Sequence, residues 1–377
     1  MSVRMNPDRQ LRIGMIGHKF MGKAHSIAYR NLTFYFPSSL QPVMQVICGR
    51  NEEEVRNAAD RYGWNEFETD WRKVIERDDI DVIDIVTPND SHAEIAIAAA
   101  KAGKHILCEK PLALNLLQAT EMYNAVRENG IVAMVCQNYR FVPAVRFAKQ
   151  MIDSGKLGKV LQIRSTYLQD WGMESNPLNV WRFQKEKTGT GAHGDIASHL
   201  IDLARYLVGE FAEVSGHLET FVKERYVDDA SMFLARFRNG AIGTFEASRF
   251  SAGNKNANRF EINGEKGSIR WDLEQMNLLD VYFKEDDQSA SGFRTIHCTG
   301  AHHPYGENYW PAGLSVGYEQ TFINLIKTFI DGISTGKSPE PTFWDGLVNQ
   351  SVLDAVVESS EKRSWVKTPS ACGVSTE

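Results

Sequence analysis

The sequence predicts an α/β domain built on a parallel sheet, followed by an α+β domain with a large, mostly antiparallel open sheet. Three observations support this fold class. Apolar strand patterns alternate with helical patterns over residues 1–138, as in doubly wound sheets. Between residues 160 and 272, strand patterns follow one another with turn signals and no intervening helices. A chain of 377 residues also exceeds one ordinary core, so we expect two domains, 1–138 and 139–377.

The first domain opens with a βα unit. Residues 11–17 form a short apolar run that ends in glycine, and helical character follows at 21–30. Later apolar runs and amphipathic stretches repeat this alternation. The further predicted strands are 43–48, 81–86, 105–108 and 132–136, and the further predicted helices are 52–62, 92–102 and 115–129.

The second domain is rich in strand patterns. Turn signals such as Arg238-Asn239-Gly240 and the glycines at 264 and 267 separate the runs, as hairpins require. The predicted strands are 161–168, 214–221, 231–237, 241–248, 259–263 and 267–272. Two helices, 316–335 and 343–362, close the chain and are candidates to pack back on the first domain.

Composition excludes several classes of partner. The formal net charge is −6 and the basic residues are scattered, so the chain has no electrostatic footprint for nucleic acid or anionic lipid. Apolar runs stay shorter than the roughly 18 residues needed to span a bilayer, and we expect a cytoplasmic protein. The five cysteines show no metal-like spacing and are interpreted as reduced thiols, with Cys108 notable because it adjoins Lys110.

The turn after the first predicted strand is a candidate dinucleotide-binding site. We therefore expect the first domain to be a Rossmann domain. A pyrophosphate can rest on the N-terminus of the following helix, although Lys19 replaces the middle glycine of the usual fingerprint. An α/β domain that binds no dinucleotide here stays an alternative. The residues of the turn are Gly17, His18, Lys19, Phe20, Met21 and Gly22.

The end of the second predicted strand bears on the choice between NAD and NADP. Gly49-Arg50 stands where a carboxylate normally takes the adenosine ribose hydroxyls. Absence of the acid removes repulsion against a 2′-phosphate, and Arg50 can pair with that phosphate. NADP is therefore slightly favoured over NAD. In the alternative interpretation, Arg50 stacks on the adenine or faces solvent.

One glycine-rich stretch offers catalytic side chains. Asp195 and His199 stand four residues apart, so on a helix they project from one face. With Lys110 they supply a carboxylate, an imidazole and an ammonium, which together can move a proton while a cofactor moves a hydride. Zinc ligation by Asp195, His199 and His193 is disfavoured, because the charge of Lys110 repels a cation and the cysteines lack zinc spacing. We therefore predict no metal.

Ordered motifs over nearly the whole chain resemble the Gfo/Idh/MocA oxidoreductases, a family that includes glucose-fructose oxidoreductase and inositol dehydrogenase. The resemblance implies that Lys110 contacts both substrate hydroxyl and nicotinamide ribose, that Pro111, often cis in the family, orients it, and that His199 is the acid/base. It also implies that Asp195 orders the substrate hydroxyls. The motifs are Thr87-Pro88-Asn89 with His92, Ala102-Gly103-Lys104-His105, Glu109-Lys110-Pro111, Asn138-Tyr139-Arg140, Trp181-Arg182, and Asp195 with His199 and Asp202.

The resemblance also implies which residues surround the cofactor. A loop lies under it, and a second segment folds back over its nicotinamide end. The expected cofactor-binding residues, beyond the turn and Arg50, are Thr87, Pro88, Asn89, His92, Glu109, Lys110, Asn138, Trp181 and Arg182.

Aromatic and polar residues near the catalytic stretch suit a sugar ring, although Trp171 and Phe183 singly fit a core as well. Within the family, residues 20–26, 167–171, 181–185 and 303–307, together with 310–311, resemble the levoglucosan dehydrogenase branch. This resemblance implies oxidation of a pyranose, anhydrosugar or glycoside, at C3, to a keto-sugar. The expected substrate-binding residues are Lys110, Tyr139, Tyr167, Trp171, Arg182, Asp195, His199 and His303.

Two other functions stay open. An inositol or free-aldose dehydrogenase would use the same chemistry on a different ring. A non-catalytic dinucleotide or sugar sensor would keep the fold, but it would not need Lys110, Asp195 and His199 together. Open sheets in the family commonly pair face to face, so the resemblance implies a homodimer or homotetramer.

Overall fold

The computed structural model describes residues 10–173 and 180–369. Contacts divide the chain into two compact units. Unit 1 comprises the residues up to 113 together with 117–138 and 317–347. Unit 2 comprises 114–116, 139–316 and the residues from 348 onward. The predicted C-terminal helix at 316–335 thus belongs to the same unit as the N-terminal strands.

Unit 1 is built on a six-stranded parallel sheet, as predicted. Its order is β3-β2-β1-β4-β5-β6, with every neighbouring pair parallel. The carboxyl ends of the strands therefore meet at one edge of the sheet, where ligands bind in doubly wound folds. The elements are β1 (Gln10–Ile16), α1 (Phe20–Tyr35), β2 (Gln41–Cys48), α2 (Glu52–Tyr62), β3 (Glu66–Glu68), α3 (Trp71–Ile75), β4 (Val82–Ile85), α4 (His92–Lys101), β5 (His105–Cys108), α5 (Leu116–Asn129) and β6 (Ala133–Val135).

Unit 2 contains a nine-stranded sheet. The elements along the chain are α6 (Pro143–Asp153), β7 (Val160–Leu168), α7 (Lys185–Thr188), a π-helical turn (His193–Ala197), α8 (Ser198–Leu207), β8 (Phe211–Glu219), β9 (Ala230–Phe237), β10 (Ile242–Ser248), β11 (Ala257–Gly264), β12 (Gly267–Asp272), β13 (Leu278–Phe283) and β14 (Arg294–His297). Helix α9 (Tyr318–Thr335), which belongs to unit 1, comes next in the chain. Helix α10 (Phe343–Lys362) begins in unit 1 and ends in unit 2, and β15 (Val366–Lys367) comes last. None of the described helices is long and apolar enough to cross a membrane.

The large sheet is mostly antiparallel, which confirms the predicted fold class. Its order is β14-β13-β12-β11-β7-β10-β9-β8-β15, and only the β7–β10 pair is parallel. Helix α6 contacts β12 and β13, and helix α8 contacts β7. On β9 and β10, buried Phe233 and Phe245 alternate with exposed Met232, Leu234 and Ile242. The second face of these two strands is therefore accessible and carries three large apolar side chains.

The structure contains elements that the sequence analysis did not predict. Helix α6 begins with Pro143 at its first turn and buries Val145, Ala148 and Met151, which follow helical spacing. The elements β3, α3, β13 and β14 were also missed. Strand β3 has only three residues, and β14 has three exposed residues of four, so neither shows a burial pattern to read.

Candidate active site

The turn between β1 and α1 in unit 1 requires glycine at two positions, because other backbone atoms lie very close to it there. Gly17 has a φ of +115°, and a Cβ there would lie 2.6 Å from the carbonyl oxygen of Val86. A Cβ on Gly22 would lie 2.8 Å from the carbonyl oxygen of Gly17. The N-cap residue of α1 is Lys19, whose side chain makes no capping hydrogen bond. The amides at this helix end therefore suit the pyrophosphate of a dinucleotide.

His18 and Lys19 of this turn share a carboxylate on α2. The Nε2 of His18 lies 3.1 Å from Glu54 Oε2, and Lys19 Nζ lies 3.3 Å from the same oxygen. The hydrogen bond from His18 and the contact with Lys19 lower the pKa of Glu54. Gly49 admits the His18 ring, because a Cβ at 49 would lie 2.2 Å from its Nδ1. Exposed Arg50 follows at the end of β2.

The loop after β4 is held by His92. Its Nε2 lies 3.0 Å from the carbonyl oxygen of Thr87 and its Nδ1 lies 3.1 Å from the carbonyl oxygen of Pro111. Ser91 Oγ donates to Thr87 Oγ1 at 2.7 Å. The His92 side chain is fully buried, and burial lowers its pKa. His92 therefore joins the loop of Thr87, Pro88 and Asn89 to the Lys110–Pro111 segment, and we expect any effect on cofactor binding to pass through these backbones.

Glu109 is part of a buried ionic chain next to Lys110. His25 Nδ1 lies 2.9 Å from Asp84 Oδ2, and its Nε2 lies 3.1 Å from Glu109 Oε1. Burial alone would lower the pKa of His25, but the charges and hydrogen bonds of Asp84 and Glu109 outweigh it and raise the pKa to about 10. Glu109 Oε2 accepts from the backbone amide of Lys110 at 3.1 Å. The Lys110–Pro111 peptide is cis, as the resemblance implies.

The cysteines of the described residues are free and buried. Burial raises the pKa of Cys108 and Cys136 well above the usual thiol value. Cys108 is therefore a packed thiol rather than a reactive neighbour of Lys110. Cys136 also lies with His25 and Glu109 in a cluster of ligand atoms within 4.8 Å, but both ring nitrogens of His25 already face carboxylates. Cys372 lies outside the described residues.

Asp195 in unit 2 lies in the π-helical turn His193–Ala197, not in a regular α-helix as its spacing from His199 predicted. The carboxylate of Asp228 accepts from the amides of Gly191 and His193, both at 2.6 Å. A Cβ on Gly191 would lie 1.8 Å from the carbonyl oxygen of Asp228, so this position requires glycine. These two hydrogen bonds fix the backbone where the turn begins, and a π-helical turn contains more residues than an α-helical turn.

Two arginines contact the Asp195 carboxylate. Arg249 Nη2 donates to Asp195 Oδ2 at 2.7 Å, and Arg182 Nε lies 3.6 Å from the same oxygen. The Arg249 guanidinium lies over the Trp171 ring at 4.9 Å, and the Arg182 guanidinium lies over the Trp181 ring at 4.6 Å. The structure therefore groups three predicted site residues, Trp171, Arg182 and Asp195, around Arg249, which the sequence analysis did not name. A fourth, Trp181, contacts this group through Arg182.

His199 lies in the first turn of α8 beside two tyrosines. Its ring centroid lies 4.5 Å from that of Tyr139 and 5.9 Å from that of Tyr167. The two tyrosine hydroxyls lie 2.9 Å apart. Further along α8, Asp202 accepts two 2.7 Å hydrogen bonds from Arg140. Arg140 thus holds the helix that carries His199, and Tyr139 and Tyr167 lie beside its imidazole.

Three other candidate residues have packed surroundings. His193 is fully buried, with its ring nitrogens 2.9 Å from Ser231 Oγ and 3.0 Å from the carbonyl oxygen of Leu353, so it is engaged structurally. Asn138 Nδ2 donates to Thr321 Oγ1 at 3.0 Å. His303 packs edge-on against Phe147 at 4.8 Å, and burial lowers its pKa. Its Nδ1 has no hydrogen-bond partner in the part of the chain that the structure describes.

Three residues that the sequence analysis missed have contacts with candidate site residues: His25, Glu54 and Arg249. Glu54 stands three residues after Asn51, the N-cap of α2, and its backbone amide donates to the Asn51 side chain. This capping spacing is visible in the sequence and could have drawn attention to Glu54. The sequence offers no comparable signal for the contacts of His25 and Arg249, because a single sequence does not show that a polar residue is buried against a carboxylate.

Comparisons with known proteins match both parts of the chain. A model described as "Oxidoreductase family, NAD-binding Rossmann fold" matches residues 11–137, and one described as "GFO/IDH/MocA C-terminal domain" matches residues 145–270. Levoglucosan dehydrogenase of Pseudarthrobacter phenanthrenivorans is 46% identical over 386 aligned positions, covering 96% of this chain and 99% of that protein. Myo-inositol 2-dehydrogenase of Thermotoga maritima is 26% identical, covering 96% and 100%.

Solved structures give the same result. The structure of levoglucosan dehydrogenase in complex with NADH and levoglucosan matches with a TM-score of 0.94 and 48% identity, covering 96% of this chain and 99% of that one. An inositol dehydrogenase homologue from Azotobacter vinelandii, complexed with NAD+, matches with a TM-score of 0.85 at 21% identity, which shows the shared fold.

Proposed function

The chain belongs to the GFO/IDH/MocA family of oxidoreductases, and from that premise we propose that it transfers a hydride from a secondary hydroxyl of a pyranose, anhydrosugar or glycoside to a nicotinamide, giving a keto-sugar. The observation that carries the proposal is the 46% identity to levoglucosan dehydrogenase over 96% of the chain. The substrate hydroxyl is proposed to be that at C3.

We propose that Lys110, Asp195 and His199 carry the chemistry. When bound, the nicotinamide supplies the hydride acceptor. His199 takes the hydroxyl proton, because imidazole titrates nearest to neutral pH. The ammonium of Lys110 stabilises negative charge developing on the hydroxyl oxygen. Asp195, fixed at Oδ2 by Arg249, orients the substrate hydroxyls.

The amides at the start of α1 and the glycines at 17 and 22 support dinucleotide binding in unit 1. NAD is the coenzyme that the family description names. We propose that NADP is also accepted and is slightly favoured, because exposed Arg50 follows β2 where no carboxylate stands to repel a 2′-phosphate. Glu54 stands close to the turn, but His18 and Lys19 engage its charge.

For substrate binding we propose Tyr139, Tyr167, Trp171, Arg182 and His303 in addition to the three catalytic residues. The support in unit 2 is the pairing of flat aromatic faces with hydrogen-bonding groups: Trp171 Nε1 donates to Gln169 Oε1 at 2.7 Å, and Tyr167 lies next to His199. Such surfaces suit a sugar ring, which has apolar C–H faces and polar edges.

The test is a substrate panel. Purified protein is incubated with NAD or NADP and with levoglucosan, methyl glucosides, free glucose or myo-inositol, and the absorbance of reduced nicotinamide is followed. Turnover of levoglucosan or glycosides, with a 3-keto product identified by NMR, supports the proposal. Turnover confined to myo-inositol or glucose would establish the alternative dehydrogenase instead. Cofactor binding without turnover of any sugar would favour a sensor.

We also propose a homodimer or homotetramer assembled through the large sheet. Met232, Leu234 and Ile242 are each about half exposed on neighbouring strands β9 and β10. Burying such a patch against a second copy is favourable at roughly 25 cal/mol per Å². Light scattering of the wild-type protein and of Leu234→Lys tests this, since the charge should shift the population toward monomer.

A further inference from the structure

Arg249 lies directly after β10 and is the largest fully buried side chain among the described residues. Its backbone amide donates to the carbonyl oxygen of Asp229 at 3.0 Å, and this hydrogen bond fixes the position of the Arg249 backbone. Removing a guanidinium from water costs several kcal/mol unless it is well paired. The partners of this cation therefore indicate what it does.

The guanidinium touches two candidate site residues at once. Its Nη2 is 2.7 Å from Asp195 Oδ2, and its Cζ lies 4.9 Å from the Trp171 ring centroid. Its Nη1 lies 3.5 Å from the carbonyl oxygen of Arg182, whose own Nε lies 3.6 Å from Asp195 Oδ2. One cation thus joins the carboxylate, the aromatic residue and the Trp181–Phe183 turn.

The packing around Arg249 leaves it little freedom. A Cβ on Gly172 would lie 2.8 Å from the Arg249 carbonyl oxygen and 2.9 Å from its Cβ, so the Trp171 turn lies directly against this residue. Its Nε has no hydrogen-bond partner among residues 10–173 and 180–369, and a buried unpaired donor costs about 1–3 kcal/mol. Replacing buried ion pairs by apolar residues is often neutral or stabilising. Stability alone therefore does not explain a cation at this position.

We propose that Arg249 is a positioning residue for the reaction, which acts through Asp195 by fixing the orientation and charge of its carboxylate. This inference rests on the proposed function, since it requires Asp195 to act on the sugar. A guanidinium suits the task because its planar fork holds a carboxylate in one orientation, whereas an ammonium is a point charge.

Unit 2 offers a matched control. Arg225 is also buried, pairs with Asp229, donates to the carbonyl oxygen of Gly172 at 2.6 Å and lies 3.9 Å from the Phe183 ring centroid. It resembles Arg249 in burial, charge pairing and aromatic contact, but its carboxylate partner is Asp229 rather than Asp195. Damage to packing in general should therefore appear equally in Arg225→Met and Arg249→Met.

The experiment is a double-mutant cycle on the full-length protein. Arg249→Met, Asp195→Asn, the double variant, and Arg225→Met alone and with Asp195→Asn are compared by kcat/KM for the best substrate of the panel. NADH binding and the thermal unfolding midpoint are measured for each. We expect Arg249→Met to lower kcat/KM by about 10-fold to 100-fold in the wild-type background and by less than about 2-fold in the Asp195→Asn background. Any loss caused by Arg225→Met should be the same in both backgrounds.

Equal loss from Arg249→Met in both backgrounds, or loss in neither, would overturn the inference and leave the proposed function standing. Full activity of Asp195→Asn itself would instead remove the role of Asp195 in the proposed function, and the inference with it. If Arg249→Met does not fold, Arg249→Lys is used in the same cycle and judged by the same criterion. The lysine keeps the charge but not the planar fork.

Discussion

The Nε2 atom of His25 lies 3.1 Å from Oε1 of Glu109, and the other oxygen of that carboxylate accepts from the backbone amide of Lys110. A buried cation on α1 thus holds the residue that precedes the proposed catalytic lysine. This arrangement gives the chain a pH-dependent contribution to stability, because the proton on His25 is bound more tightly in the folded state than in the unfolded state.

The first prediction concerns this proton. The pKa of His25 is raised from 6.5 to about 10, so its contribution to stability is fully present below pH ~6.5 and is lost as the pH rises toward 10. The slope reaches about 1.4 kcal/mol per pH unit for one proton. We expect the free energy of unfolding, measured in urea, to fall more steeply between pH ~6.5 and ~8.5 in the wild type than in His25→Gln. The thiols of Cys108 and Cys136 stay protonated over this window, because burial raises their pKa well above 9. Parallel curves would show that the imidazole binds no extra proton.

The second prediction concerns Lys110. Lys110→Ala should lower kcat by roughly 100-fold to 10,000-fold, because the developing negative charge loses its ammonium partner. Folding should survive, since the side chain is partly exposed. Initial rates measure the loss, and circular dichroism checks the fold. Activity near that of the wild type would remove Lys110 from the mechanism.

The third prediction concerns His199. His199→Ala should suppress oxidation and flatten the pH dependence of kcat/KM near neutrality, because the proposed base is gone. Tyr167→Phe is the control, since it keeps the ring beside His199 and removes only the hydroxyl. A pH profile for His199→Ala that matches the wild type in shape would assign the proton to another group.

The fourth prediction concerns coenzyme choice. Arg50→Ala should weaken NADP binding by about tenfold, or roughly 1.4 kcal/mol, and NAD binding by less than about twofold. Titration of protein fluorescence with each reduced coenzyme gives both dissociation constants without turnover. Equal weakening of the two would mean that Arg50 contacts no 2′-phosphate.

The fifth prediction concerns the entry to the π-helical turn. Gly191→Ala should lower the free energy of unfolding by more than about 2 kcal/mol, because the new methyl would lie 1.8 Å from the carbonyl oxygen of Asp228. Gly292→Ala is the matched control, since a Cβ there would meet nothing within 4 Å. Similar stability of the two variants would show that the turn can open to admit a side chain.

Much of the fold followed from periodicity. Helix α2 (Glu52–Tyr62), strand β5 (His105–Cys108) and strand β12 (Gly267–Asp272) have the predicted bounds, because each has a clear hydrophobic pattern between turn signals. Strands β13 and β14 were missed, although β13 buries Leu279 and Val281. Their extended conformation depends on hydrogen bonding to neighbouring strands, β13 to β12 and β14 to β13. Such pairing is a tertiary effect that local patterns do not show.

The candidate site residues were predicted from residue types, but the residues that hold them in place were not. Aspartate, histidine and lysine in the right order pointed to proton transfer, and the glycines at 17 and 22 pointed to a phosphate turn. The π-helical geometry at Asp195 depends on Asp228, which is 33 residues away in the chain and holds the amides of Gly191 and His193. The burial of Arg249 likewise depends on a distant partner, and charged residues are ordinarily expected at the surface.

The π-helical turn at His193–Ala197 makes this segment sensitive to its length. A π turn contains more residues than an α turn, so deleting one residue between Asp195 and His199 would let the segment revert to regular α-helix. Each residue of an α-helix rotates the side chain by about 100°, so the carboxylate would leave Arg249 or the imidazole would leave Tyr139. Insertions and deletions here should therefore be far less tolerated than substitutions at Ile196, Ala197 or Ser198.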